Sequence, residues 1–235
     1  MSTGGSAASF SLETYYNGSE SSVWDAAPWT RIYENFLRTA GLAQLGSPVE
    51  AVVAACDAVE QANETLLSDP TWSKHQLPYY RLSFDVMVES ARAWKAFRAV
   101  SYDAGIEAMK EVASSQMSGW APEVSHCWDA NEQLAQMWLI ANSTTSNVMS
   151  ALAAFETAHR IYPNRFHSLA GAGQCTEILG DDAKTESYYG QLIALTSAPF
   201  PDTKVLGMGT STCGDYAPDR RPELAQAHAY FGGVR

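Results

Sequence analysis

Two adjoining stretches constrain this chain most: Ala151 to Pro163, ALAAFETAHRIYP, and Phe166 to Leu195. Ala151, Phe155, Ala158 and Pro163 are spaced 4, 3 and 5 apart, and Gly173 and the pair Gly180-Asp181 follow. Small residues and an aromatic at helical spacing give a helix one close-packing face. The proline ends that helix, and the Gly-Asp pair turns the chain before another begins. Such a pattern predicts pairs of helices joined by tight turns.

Upstream, residues 1–27 are rich in Gly, Ser and Thr, with a short alternating run from Phe10 to Tyr16, and read as an extended arm. Pro28 suits a first helical turn, and Trp29, Ile32, Tyr33, Phe36 and Leu37 recur at helical spacing. Ser47-Pro48 reads as a capping serine followed by proline at the first helical position. Val49, Val52, Val53, Cys56, Val59, Asn63, Leu66 and Leu67 trace one face of that helix, which Asp69-Pro70 ends. These two helices form an antiparallel hairpin. Residues 69–78 read as a loop with Trp72 and His75. Tyr80, Phe84, Met87, Ala91, Trp94 and Phe97 make the next stripe. A turn at Ser101-Tyr102-Asp103 precedes a short helix bearing Ile106, Met109 and Val112. Residues 114–125 read as a loop with Trp120. A helix from about Cys127 to Ala141 turns Leu134, Met137, Trp138 and Ala141 inward. The polar segment Asn142 to Asn147 ends it, and Ser146 or Asn147 caps the helix that follows. The Pro- and Gly-containing tail carries Cys213, and Pro222 opens a last short helix from Glu223 to Tyr230.

The run from Ala151 to Leu195 resembles tandem tetratricopeptide (TPR) repeats on a 34-residue ruler. Ala151 and Ala158 take the small positions, Phe155 the aromatic one and Pro163 the helix-ending one. In the second window Leu169 and Gly173 fall in the first helix, Gly180 in the turn, and Tyr189 in the second helix. The tract from about Tyr79 to Tyr230 is similar to the C-terminal part of bacterial-type TPR proteins of unassigned activity. It shares Pro163-Asn164-Arg165, the stretch from Gly180 to Tyr189, and Pro222 to Ala225. Leu139, Ser146 and Thr185 depart from the repeat pattern. The resemblance implies an all-α α-solenoid of antiparallel hairpins, with about eight helices. On this reading residues 1–27 are the arm, 28–199 the array, and 200–235 a loop and short helix. TPR domains that clamp a terminal carboxylate use Lys, Arg and Asn on inner helices. The nearest set here, Arg92, Lys95 and Arg98, reads as a solvated face.

Charge narrows the partners. The 235-residue chain carries a net charge of −11, which repels phosphate backbones and anionic membrane surfaces. No stretch approaches the roughly 20 apolar residues of a membrane span. Charged residues are only 17%, so part of a surface built of Ala, Ser and Thr is expected to be covered by a partner. Trp24, Trp72 and Trp120 fall in loops and are candidate contact residues.

No catalytic constellation emerges. The histidines are His75, His126, His159, His167 and His228, with no His-x-x-x-His or Cys-x-x-Cys pair to hold zinc. Cys175 and His167 are eight apart, about 12 Å along a helix, too far for proton transfer. Gly171-Ala-Gly173 neither follows a strand nor opens a helix, so it is no dinucleotide fingerprint. Asp181-Asp182 reads as a turn and cap. No metal or other cofactor is expected.

The leading expectation is a non-catalytic scaffold for protein–protein association. The alternative is a structural subunit of a self-assembling complex or filament. A third, less favoured reading is an enzyme with a site near His126 or Asp129. Compartment stays open. MSTGGSAASFS has no basic or apolar region of a signal peptide, so a chain starting at Met1 is expected inside the cell. Sequons at Asn17, Asn63 and Asn142, and the even set Cys56, Cys127, Cys175 and Cys213, point to the secretory route.

Overall fold

The computed structural model describes residues 28–70, 77–118, 129–142, 144–197 and 221–233. Among them the chain is all-α: nine helices and no strand. The helices are α1 (Pro28–Gln44), α2 (Val49–Ser68), α3 (Leu77–Ala99), α4 (Tyr102–Ser118), α5 (Ala130–Ala141), α6 (Thr145–Ile161), α7 (Phe166–Leu179), α8 (Asp182–Ser197) and α9 (Pro222–Gly233). The chain divides into two compact units between Ala141 and Asn142. Trp24, Trp72, Trp120, Asn17, Cys127, Cys213, His75 and His126 lie outside the described residues.

In the first unit α1 packs on α2, and both pack on α3. A four-residue connection between helices packed along their length makes α1 and α2 antiparallel. Their core gathers Ile32, Phe36, Cys56, Val59, Leu66, Phe84, Met87 and Ala91, with Trp29, Tyr33 and Leu37 partly buried against it. The α3 stripe is buried at Phe84, Met87, Ala91, Trp94 and Phe97. Fully burying one such side chain is worth about 1.5–3 kcal/mol. Trp94 meets Phe97 edge-on with centroids 5.6 Å apart, and α4 adds Ile106, Met109 and Val112.

Helix ends and faces differ from the sequence reading at several places. Val49 opens α2, preceded by Pro48 with no side-chain cap; the Pro48 carbonyl accepts from the Ala51 amide at 3.0 Å. Ser47 instead offers its carbonyl to Arg98. Pro78 sits inside the first turn of α3, where its missing N–H costs nothing. α4 is 17 residues long rather than short, because Val112, Ala113 and Gln116 pack inward and carry the helix to Ser118. Thr144, not Ser146 or Asn147, caps α6: its hydroxyl accepts from the Asn147 amide at 3.3 Å. α5 starts at Ala130, and only Leu134 and Met137 of its four expected inward residues are fully buried; Trp138 and Ala141 are half-buried. On α2, Leu67 is exposed and Val49, Val53 and Asn63 are half-buried.

In the second unit α6 packs on α7, α7 on α8, and α9 on both α7 and α8. Gly180 (φ 73°) closes α7 in the left-handed region. The Gly180 amide donates to Glu177 O (3.2 Å) and the Asp181 amide to Thr176 O (3.0 Å). This paired closure is a Schellman turn. Gly46 (φ 70°) closes α1 identically, through Leu42 and Ala43. Asn164 (φ 62°) turns the chain between α6 and α7, a conformation an Asn side chain tolerates.

Candidate functional site

The residues singled out for packing fall as follows. Ala151, Phe155 and Ala158 form a buried face of α6, and Leu169 and Gly173 are buried on α7. A methyl group at Gly173 would run into the Tyr189 ring, and one at Gly171 into the Phe155 ring. Glycine thus admits one aromatic ring from each neighbouring helix. Pro163 and Gly180 lie exposed in turns.

Around this packing runs a polar girdle. The Tyr189 hydroxyl donates to Glu177 Oε2 and the Tyr188 hydroxyl to Glu156 Oε1, at 2.8 and 2.7 Å. Burial, then these carboxylate bonds, raises both phenol pKa values. Lys184 reaches the same Glu156 oxygen at 3.2 Å. Thr185, where the repeat pattern has alanine, is fully buried. Its hydroxyl lies 3.0 Å from Thr176 Oγ1 and 2.9 Å from Asp181 O. Thr176 passes its own proton back to Ala172 O or Gly173 O, each at 3.0 Å.

The densest polar cluster lies in the first unit, where α5 begins. Asp129, Asn131, Glu132, Gln133 and Gln116 are all buried. Asp129 Oδ1 accepts from the Asn131 and Glu132 amides at 2.8 and 3.4 Å, and Gln116 Oε1 accepts from the Ala130 amide at 2.8 Å. These bonds satisfy the amides that a helix start leaves open. Gln133 Oε1 accepts from Trp94 Nε1 at 2.9 Å, and its Nε2 donates to Ser90 Oγ at 3.5 Å. Gln44 Nε2 donates to Gln136 Oε1 at 2.6 Å. Through Gln133, Gln116 and Gln136 these bonds tie α5 to α3, α4 and the end of α1. From sequence, Asp129 is named here only beside His126, as the surroundings of a less favoured enzymatic site. The signal that would have found more is Asp129-x-x-Glu132, a cap-like spacing at a helix start.

Arg92, Lys95 and Arg98 are all engaged. Arg92 pairs with Glu60 (2.6 Å) and Glu89 (2.7 Å), and Lys95 with Asp57 (2.6 Å). Hydrogen bonds to Glu60 and Asp57 raise the pKa of Arg92 and Lys95 respectively. Arg98 donates to Ala43 O and Ser47 O, both at 3.1 Å. Cys56 and Cys175 are free, buried thiols. Burial pushes Cys56 up to about 11, against the opposing pull of Lys95, and Cys175 up to about 12. Both are protonated and inert at neutral pH. Of the sequon asparagines, Asn142 is exposed between α5 and α6, whereas Asn63 is half-buried in mid-helix.

Among the described residues no cluster of three His, Cys, Asp or Glu side chains could hold a metal ion. Among them, too, no helix is long and apolar enough to cross a membrane. The most exposed large apolar side chains described in the first unit lie in the α1–α2 and α3–α4 turns. Val100 is 75% exposed, Leu45 51% and Tyr102 45%. Arg98 joins the two turns that carry them, and it lines a shallow concavity with Phe97, Ser101 and Tyr102. No protein-family model matches the chain, and no curated protein or solved structure matches it.

Proposed function

We propose that this chain is a non-catalytic, TPR-like scaffold whose work is protein–protein association. The observation that carries the reading is the order of helix packing. Within each unit every helix packs on the next in sequence, and odd-numbered helices also reach the next odd one: α1 with α3, α3 with α5, α7 with α9. Stacked hairpins need that order, because each repeat contacts its neighbours alone. Capping and seam bonds between neighbouring helices support it, among them Gln116 to the Ala130 amide, Trp94 to Gln133 and Thr185 to Thr176. The turn end bearing Leu45, Val100 and Tyr102 supplies an apolar contact surface, and exposed apolar groups gathered in one place favour association.

A photo-cross-linking residue placed at position 100, with another at the exposed Glu64 on α2 as control, tests this in cells that make the protein. Discrete protein adducts are expected from position 100 and none from position 64. Adducts from neither position, with the chain folded, overturn the reading.

A further inference from the structure

α9 is seated on α7 and α8 by a narrow set of contacts. Leu224 and Ala227 are fully buried beside Phe166, Leu169, Tyr189 and Leu192. The Arg221 guanidinium lies 4.7 Å from the centroid of Phe166, and the Tyr230 ring meets Tyr189 edge-on at 5.7 Å. Gln226 Nε2 donates at 2.8 Å to Glu177 Oε2, the oxygen that also accepts from the Tyr189 hydroxyl. Most of the rest of α9 faces solvent: Ala225, Gln226, His228, Ala229 and Phe231 are exposed. α7 differs sharply, with buried residues along most of its length from Phe166 to Thr176. The chain also differs here: 24 residues separate Ser197 from Pro222, where α7 and α8 are separated by two. A helix held by so few buried side chains opens well below global unfolding.

When α9 leaves, it uncovers an apolar groove made by α7 and α8, with the Glu177 carboxylate as an acceptor at its edge. We propose that this face is a helix-docking groove that α9 fills in cis and a partner's helix fills in trans. The chemistry of that partner is read from the helix already seated. It is amphipathic, with aliphatic residues at i and i+3, a hydrogen-bond donor at i+2 and an aromatic at i+6, as Leu224, Ala227, Gln226 and Tyr230 are placed. Recognition of such a helix by three anchors on one face is a recurring mode. Occupation by α9 lowers the apparent affinity by the fraction of chains that are open, so the groove admits only a helix that outcompetes α9. This surface belongs to the second unit and is independent of the turn end described above.

Two measurements on the full chain test the groove. In hydrogen exchange, α9 amides are expected to exchange at least about tenfold faster than those of α7 and α8. Equal rates overturn the proposal. In the second, a fluorescent peptide of residues 221–233 is titrated into wild-type protein and into Leu224→Asp. Release of the resident helix is expected to tighten peptide binding at least about tenfold, and the peptide carrying Leu224→Asp itself is expected not to bind. Absence of peptide binding to a Leu224→Asp protein that keeps its helical circular dichroism overturns the proposal. If Leu224→Asp loses that signal, the milder Ala227→Glu takes its place with the same two outcomes.

Discussion

Ser101 and Asp181 hold the same place in two hairpins, α3–α4 in one unit and α7–α8 in the other. Each side-chain oxygen accepts from the amide three residues on, Ala104 at 3.0 Å and Lys184 at 3.1 Å. Each amide donates back five residues, to Ala96 O at 3.1 Å and Thr176 O at 3.0 Å. Four residues beyond these caps the two hairpins part ways. At Gly105 the helices approach so closely that a methyl group would run into the backbone of Phe97. At the matching Thr185 they stand far enough apart to hold a hydroxyl pair. The turns differ to match: Gly180 lies in the left-handed region, while Val100 fills its place at negative φ. One layout thus tolerates two separations, one closed by backbone contact and the other by a polar bridge.

This comparison breaks most sharply at Gly105. Gly105→Ala adds helix propensity, yet the methyl would push against Phe97 Cβ and the backbone that carries it, which cannot swing aside as a ring can. The expected loss is about 3 kcal/mol, the upper part of the overpacking range, read as a lowered denaturation midpoint. A neutral or stabilising result would mean that the two helices are not in contact there.

Thr185→Ala comes next. It removes one hydroxyl from the bridge and leaves Thr176 bonded to the carbonyls of its own helix. A cost of about 1–2 kcal/mol is expected for a buried hydrogen-bonded group of this kind. If Thr185→Ala equals wild type in urea denaturation, the bridge is dispensable and α7–α8 closes by apolar packing alone.

A third difference is the thiol. Cys175 lies on α7, next to Thr176, and the stretch of α3 and α4 has no cysteine. A thiol near 9 in the unfolded chain and about 12 in the folded one favours the fold while it stays protonated. That stabilisation is complete below pH 9 and is lost as pH climbs from 9 towards 12. By pH 10 the decline amounts to about 1 kcal/mol. Comparing wild type with Cys175→Ala across pH 8–10 isolates it: the variant should show the shallower fall, and parallel curves would refute the assignment.

Smallest is the effect of the turn residue. Gly180→Ala meets no neighbour within 4 Å, so its cost is the left-handed φ alone, about 1 kcal/mol. Val100→Ala, at an exposed site with ordinary φ, is expected to change the melting temperature little.

Much of this was legible in residue order. The stripe from Phe84 to Phe97 and the face of Ala151, Phe155 and Ala158 announce themselves, because burial at helical spacing leaves a direct trace in the chain. Gly180 also did so, since few residues accept its φ. Elements set by tertiary surroundings did not. α4 runs past residue 114 because Gln116 finds the Ala130 amide, a partner 14 residues away that no local rule reveals. Ser47 resembled a cap, yet the first accepted bond falls to Pro48 and the carbonyl of Ser47 is claimed by Arg98, 51 residues on. Asn131, Glu132 and Gln133 are of types usually found exposed, and nothing in their spacing marks them as buried. Gln133 is buried where it meets Trp94 and Ser90, and the α5 start beside it is answered by Asp129 and Gln116. Arg92, Lys95 and Arg98 illustrate the same limit: their spacing was visible, but not the carboxylates and carbonyls that occupy them.

Arg98 holds the α1–α2 turn entirely through main-chain oxygens, those of Ala43 and Ser47. Every amino acid offers the same carbonyl, so the grip does not depend on which side chains positions 43 and 47 carry. Drift at the half-buried position 47 leaves the fastening between the first hairpin and α3 intact, provided the backbone path survives, whereas the fully buried Ala43 is also constrained by packing. The burden of specificity falls on two residues alone: Gly46, whose φ of 70° aims the turn, and the guanidinium that reads it.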